Sequence, residues 1–292
     1  MMPKQLLLGV GITVSSQKDI VSFVTSFLSS ETSGQTLTIV TPNSEQLVLA
    51  QTDAHFRSLL TAADIALPDG SGVVYGLKMQ NAECRMQNVQ RVAGVDFFQD
   101  LCRVASERRT RVAFIGNESA KQAMNVLKAR YPTLQGDVIE APELQITNYK
   151  LQIIARTDEI VNIKKENENE FEKYVAGVAE MIVKKNVQMV FVGLGAPKQE
   201  YFIEVLSRVM SHVPASSMIA SQGGSRALKP IVFMSVGGSF DMVSGRIARA
   251  PLWMRSMGLE WLYRLMKEPW RWRRQSALLQ YIWLVVTHKH TV

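Results

Sequence analysis

Short runs of Val, Ile, Leu and Phe alternate along this chain with longer stretches in which apolar residues recur every three or four positions. The first pattern suits strands buried on both faces and the second suits helices that cover them, so their alternation predicts a parallel sheet flanked by helices. Strands are expected at 6–13, 37–40, 65–66, 111–115, 136–141, 187–192 and 231–236, and helices at 17–29, 44–63, 94–109, 119–130, 168–185 and 199–210. The fold class is α/β, a Rossmann-like, mostly parallel sheet. The opening apolar run lacks a small-residue cleavage site and reads as a buried strand, not as a secretory leader. Two stretches interrupt the alternation, 147–172 with its Lys, Glu and Asn, and 211–230 with its Ser and Gly. Both are expected to be exposed loops added to the body.

Sheets of this kind bind ligands beyond the carboxyl ends of their strands. Several polar or glycine-rich corners fall there. Thr41-Pro42-Asn43 follows the strand ending at Val40, Pro68-Asp69-Gly70 follows Ile65 and Ala66, and Gly193-Leu194-Gly195 and Gly237-Gly238 close two later strands. Asp69 suits either an Asx turn or a general base that takes a proton from an acceptor hydroxyl. Thr41 and Asn43 suit either a helix cap or a loop whose free amides meet a diphosphate or a sugar hydroxyl. Arg91 is either an ion-paired surface residue or a bidentate phosphate clamp. The glycines Gly193, Gly195, Gly237 and Gly238 serve tight turns or contact a phosphate. They lack the third glycine of a dinucleotide fingerprint and the Gly-Lys-Ser/Thr of a P-loop, which argues against NAD and ATP.

Charge changes the picture at one end. From Arg246 onward there are seven Arg and two Lys against Glu260 and Glu268, a balance of +7 that equals the formal net charge of the whole chain. All five tryptophans lie between Trp253 and Trp283. Arginine beside Trp and Tyr on amphipathic segments suits the face of an anionic membrane, where indoles settle at headgroup depth and guanidinium groups meet phosphates. Core or oligomer packing and single-stranded nucleic acid are the competing readings. The second is disfavoured by a body without net charge and without an aromatic RNP strand. The apolar run 278–286 is about half the roughly 20 residues that a spanning helix needs, so the tail should lie on a membrane rather than cross it. Residues 1–245 are therefore expected to form the α/β body and 246–292 a helical membrane-associating appendage. Arg264, Arg271 and Arg274 have spacings that keep them on one helical face unless Pro269 intervenes, as headgroup anchors or as groups that close over a substrate diphosphate.

The remaining composition excludes more than it assigns. With 47% hydrophobic residues the chain can bury a large core. Its only cysteines, Cys84 and Cys102, form no CxxC pair, which points to a reducing, cytosolic setting without disulfides. His55, His212, His288 and His290 have no metal-ligand spacing; no metal and no cofactor are expected, and the arginines are the groups available to neutralise charge.

Taken together, these motifs resemble the WecG/TagA/CpsF family of bacterial glycosyltransferases. The resemblance rests on Leu8-Gly9-Val10, Thr41-Pro42-Asn43, Asp69-Gly70-Ser71-Gly72, Arg91-Val92-Ala93-Gly94-Val95-Asp96, Gly193-Leu194-Gly195-Ala196-Pro197-Lys198-Gln199-Glu200, Val236-Gly237-Gly238-Ser239-Phe240-Asp241 and the run from Arg249 to Pro269, which occur in family order over nearly the whole chain. It implies an inverting enzyme of the cytoplasmic membrane face, peripheral, that moves a sugar such as N-acetylmannosamine from a UDP-sugar to a sugar carried on polyprenyl diphosphate during surface polysaccharide synthesis. It also implies Asp69 as catalytic base, Thr41, Asn43, Arg91 and Gln199 as pocket residues, and Arg264, Arg271 and Arg274 as arginines of an appendage that completes the site. Gln90 stands where the family often has Glu, and Gln275 where an aromatic is common, so the sugar specificity need not transfer. The alternative is a non-catalytic peripheral membrane scaffold for polysaccharide assembly, and self-association is left open by either reading.

Overall fold

The computed structural model describes residues 2–30, 34–80, 89–147, 150–153, 166–212, 229–268 and 272–287. The run expected as one strand over 6–13 is a hairpin, β1 (Lys4–Leu7) antiparallel to β2 (Val10–Thr13), with Leu7 opposite Val10. Leu8 and Gly9 turn it at φ +51° and +80°, the left-handed pair that a two-residue hairpin turn requires. Nothing polar marks that turn, which is why an unbroken apolar run concealed it. The buried Thr13 hydroxyl accepts the Ala66 N–H at 3.0 Å and ties the hairpin to the main sheet.

Next come α1 (Gln17–Leu28), capped by Ser16, and β3 (Thr36–Val40). The single helix expected over 44–63 is two, α2 (Ser44–Thr52) and α3 (Ala54–Ala62). Asp53 breaks it: its N–H closes α2 on Leu49 while its carboxylate accepts the Phe56 N–H and starts α3. Asp competes for local backbone groups in this way, at small cost to the apolar periodicity on either side. β4 (Ile65–Ala66) is followed by α4 (Ser71–Gln80), a helix that the periodicity did not reveal. Then follow α5 (Gly94–Arg108), β5 (Arg111–Gly116), α6 (Glu118–Arg130) and β6 (Gln135–Glu140).

The stretch 147–172 is not simply an exposed loop. β7 (Leu144–Thr147) pairs with β8 (Lys150–Ile153), α7 (Glu166–Lys184) begins within it, and its Leu151 and Phe171 are buried. Its many charged residues masked these two anchors. β9 (Val187–Val192), α8 (Lys198–His212) and β10 (Ile231–Ser235) complete the body. Of the expected loop 211–230, the first two residues are the end of α8, and 213–228 lie outside the described residues. Four helices close the chain: α9 (Ser239–Val243), α10 (Leu252–Ser256), α11 (Glu260–Lys267) and α12 (Trp272–Thr287).

The main sheet is wholly parallel, in the order β4-β3-β10-β9-β5-β6. Its side chains alternate between two cores, as strand geometry demands. Ala113, Ile115, Val190, Val192 and Phe233 face one core with α2, α3, α7, α8 and α12, whereas Val112, Phe114, Met189, Phe191 and Met234 face the other with α1, α5 and α6. In the second core the rings of Phe98, Phe114, Phe191 and Phe240 pack at centroid distances of 4.8–5.6 Å. α12 belongs to the first core through Tyr281, Leu284 and Val285. No helix among the described residues is long and apolar enough to cross a membrane.

Candidate active site

Four neighbouring strands, β4, β3, β10 and β9, end at Pro68-Asp69-Gly70, Thr41-Pro42-Asn43, Gly237-Gly238 and Gly193-Leu194-Gly195. The parallel order therefore brings all four corners to one edge of the sheet. Leu67 N–H bonds to Val40 O at 2.8 Å and extends the pairing just beyond β4, and Gly70 at φ +107° then turns the chain into α4. Asp69 is held at that turn, half-buried. A Cβ on Gly94 would lie 3.4 Å from its Oδ2 and 3.0 Å from the Thr41 methyl carbon. The bare start of α5 thus sits directly against Asp69 and the buried Thr41.

Burial pushes the Asp69 carboxyl from its usual 3.8 up to about 6, and the neighbouring Glu260 adds to that rise. Arg91, the Gly94 N–H and Arg264 favour the charged form and limit it. A carboxyl near 6 is mostly ionised at neutral pH yet basic enough to take a proton. Asn43 acts as the cap of α2, its Oδ1 accepting the Gln46 N–H at 3.0 Å while Gln46 Oε1 accepts the Asn43 N–H at 3.0 Å. Two of the amides expected to be free for a ligand are consequently taken by this reciprocal cap.

Three charged residues that the sequence reading did not single out organise this half of the rim. Arg249 forks onto Asp96, Nη1 to Oδ1 at 2.5 Å and Nη2 to Oδ2 at 3.0 Å. Glu260, at the start of α11, accepts from Arg91 Nη2 at 2.5 Å and stands 4.0 Å from Arg249 Nε. Arg91, which the sequence leaves as an ion-paired residue or a phosphate clamp, is here ion-paired to the C-terminal segment. The signal was available: Glu260 is one of two acids in a strongly basic stretch, and an isolated acid there marks a contact. Two further contacts lay this segment over α4, Ser71 Oγ to Gly258 O at 3.1 Å and Tyr281 Oη to Gly72 O at 2.9 Å.

The other half is made of backbone. Gly195 and Gly237 lie at φ +75° and +50° with open space where a Cβ would be. Gly193 differs, because a Cβ there would fall 2.5 Å from the Phe240 ring; its bareness serves the core. Gln199, expected to line the pocket, is buried beneath the turn. Its Oε1 accepts the Gly237 N–H at 2.9 Å and its Nε2 donates to Glu200 Oε1 at 2.8 Å. Arg264 bridges the halves, with Nη2 3.7 Å from the Cβ position of Gly238 and its charge felt at Asp69. Arg264 is on α11 and Arg274 on α12, so the single helical face expected for the tail arginines does not form; Arg271 lies outside the described residues. Among the described residues no three His, Cys, Asp or Glu are grouped as metal ligands.

A doubly wound sheet with a half-buried carboxyl, two arginines and a bare glycine turn at its carboxyl edge defines a class, α/β proteins with a ligand site beyond the ends of their strands. The chain belongs to the glycosyl transferase WecG/TagA/CpsF family, whose model matches residues 5–291. It is similar to the N-acetylglucosaminyldiphosphoundecaprenol N-acetyl-β-D-mannosaminyltransferase of Bacillus subtilis strain 168, 32% identical over 247 residues, covering 83% of this chain and 76% of that one. The protein of the same name from Bacillus spizizenii strain W23 is 31% identical over 251 residues, 86% of this chain and 79% of that one.

Proposed function

We propose that this glycosyltransferase moves a sugar from a UDP-sugar onto a sugar carried on polyprenyl diphosphate, with inversion, at the cytoplasmic face of the membrane. The observation that carries the reading is the half-buried Asp69 carboxyl at the turn after β4, raised to about 6 and flanked by Arg91 and Arg264. In the proposed step Asp69 takes the proton of the acceptor hydroxyl as that oxygen attacks the anomeric carbon. Inversion needs no covalent intermediate, so one base is enough. The UDP leaves with charge that Arg264, joined by Arg271 and Arg274, offsets without a metal. The names of the two relatives support an acceptor on undecaprenyl diphosphate and a mannosamine-type donor sugar.

Membrane docking belongs to the same proposal. Leu252, Trp253, Met257 and Met266 on and beside α10 and α11 are exposed, as are Leu279, Ile282, Trp283 and Val286 on the outer face of α12. Both surfaces belong to the segment that carries Glu260 and Arg264, so residues 246–292 would hold the site at headgroup depth, where a lipid-linked sugar is confined. The test is a panel of UDP-sugars with a short-chain prenyl diphosphate acceptor, with and without EDTA. Transfer from one donor that survives EDTA supports the reading, and no transfer from any donor refutes it. Changing Leu252, Trp253 and Met257 together to Ser should lower co-sedimentation with anionic liposomes; unchanged co-sedimentation would remove these helices as the docking surface.

A further inference from the structure

Glu200 is 3% exposed and Gln199 1% exposed, in the first turn of α8 directly beneath the Gly237-Gly238 turn. Neither side chain can be reached by a substrate on the rim, yet the pair is polar and connected. Gln199 Nε2 donates to Glu200 Oε1 at 2.8 Å, and Gln199 Oε1 accepts from Gly237 N at 2.9 Å. A glutamine amide presents an oxygen on one side and an NH2 group on the other, of nearly equal size, so its surroundings decide which way it faces. Gly237 N–H needs an acceptor. Only a group that accepts on the far side of Gln199 forces the amide oxygen toward Gly237, and Glu200 is that group.

We propose that Glu200 is a positioning residue of the transfer reaction: it orients the Gln199 amide, which holds the Gly237 N–H and so shapes the glycine turn against which the Arg264 guanidinium lies. The inference rests on the reading that this rim carries glycosyl transfer. Packing alone gives no reason for a carboxyl here, since a buried carboxyl is costly to ionise and a hydrocarbon of similar size would fill the space. Burial indeed pushes Glu200 up to about 7, while Gln199, a backbone N–H and the Ser235 hydroxyl favour its charge. Its second oxygen makes no hydrogen bond of good geometry, and the side chain borders a cavity between α3 and α8 that Val40, Leu59, Ala63 and Ile203 also line. The carboxyl is thus committed through one oxygen, the one that faces Gln199.

The experiment compares full-length wild type with Glu200→Gln, Glu200→Leu and Gln199→Leu, by steady-state kinetics on the UDP-sugar and prenyl diphosphate acceptor and by hydrogen exchange of the peptide that contains Gly237. Glu200→Gln keeps an acceptor oxygen and should stay within about threefold of wild type in kcat/KM. Glu200→Leu and Gln199→Leu should each lower kcat/KM by about 3- to 10-fold, the worth of one hydrogen bond. The double change should be no worse than the worse single one, because both cut the same chain. Exchange at Gly237 should speed up in both Leu variants and not in Glu200→Gln. Wild-type kinetics or additive losses in the Leu variants would overturn the proposal. So would unchanged Gly237 exchange, which can be read even if no donor sugar is turned over; that failure would concern the reaction and not the relay. Should Glu200→Leu not fold, Gln199→Leu and Glu200→Gln decide by the same criteria.

Discussion

Over β3 and β4 the rim is built from charged side chains, Asp69, Arg91, Asp96, Arg249 and Glu260, whereas over β9 and β10 it is built from glycines and a buried amide relay. The charged half is sensitive to the chemistry of a side chain and indifferent to a few added atoms at its margins. The backbone half is the reverse: it offers no side chain to neutralise, and its Gly195 and Gly237 are set apart by left-handed backbone that an added methyl strains. Two kinds of substitution should therefore separate the halves, isosteric changes of charge on one side and Gly→Ala on the other.

The largest effect is expected from Asp69→Asn, a loss of about 10²- to 10⁴-fold in kcat, the range for removal of a general base. Wild-type kcat/KM should fall about tenfold per unit as pH drops below about 6, where the Asp69 carboxyl takes up its proton. The same shift has a stability consequence. Because the folded carboxyl titrates near 6 and its usual value is 3.8, the unfolded chain releases that proton first as pH rises. The contribution of Asp69 to wild-type stability should accordingly fall between pH about 4 and about 6 and stay constant above, read as the difference between wild type and Asp69→Asn. Asp69→Asn should escape that loss and melt no lower than wild type at pH 7.5 in a thermal scan. A variant that is inactive because it is unfolded would erase the distinction between the halves.

Arg264→Gln should follow, at about 10²-fold in kcat with donor KM less affected, as expected for a charge used mainly in the transition state. Equal loss in binding of UDP, measured by calorimetry, would reassign Arg264 to the ground state. Glu260→Gln should cost about tenfold in kcat/KM, because Arg91 and Arg249 lose the carboxylate between them. Its Asp69 titration should also move down, since Glu260 raises that carboxyl. The smallest effect is expected from Gly237→Ala. At φ +50° an alanine is strained by about 1–2 kcal/mol, visible in denaturant unfolding, with only a few-fold change in turnover because no Cβ contact lies within 4 Å. A larger loss of turnover would mean that substrate occupies that space.

How much could be read from the chain follows the same division. The strands of the main sheet and the corners at their ends were legible because they combine buried apolar runs with abrupt glycine or Asp-Gly stops. The hairpin at Leu8-Gly9, the break at Asp53 and the start of α4 were not, since each depends on one residue's local hydrogen bonding or φ inside a continuous apolar pattern. Gln199 was legible as a residue near the site but not as a support below it, because the direction of a side chain at the first turn of a helix depends on the strands beneath. That Glu260 meets a base could be read from its isolation among basic residues, but that the base is Arg91, 169 residues away in sequence, is a tertiary fact with no local trace.

Tyr281 fits where Gly72 and Gly76 have no side chains, a Cβ on Gly76 colliding with its hydroxyl, and it shares a core with Leu7, Leu47 and Leu77. The last helix is therefore a keystone of the body. A stop codon or proteolytic cut ahead of it would strip hydrocarbon from the interior and leave a sticky, misassembled remnant, so the proposed lipid-facing duty of this terminus can be separated from its structural one only by altering its outer face one residue at a time.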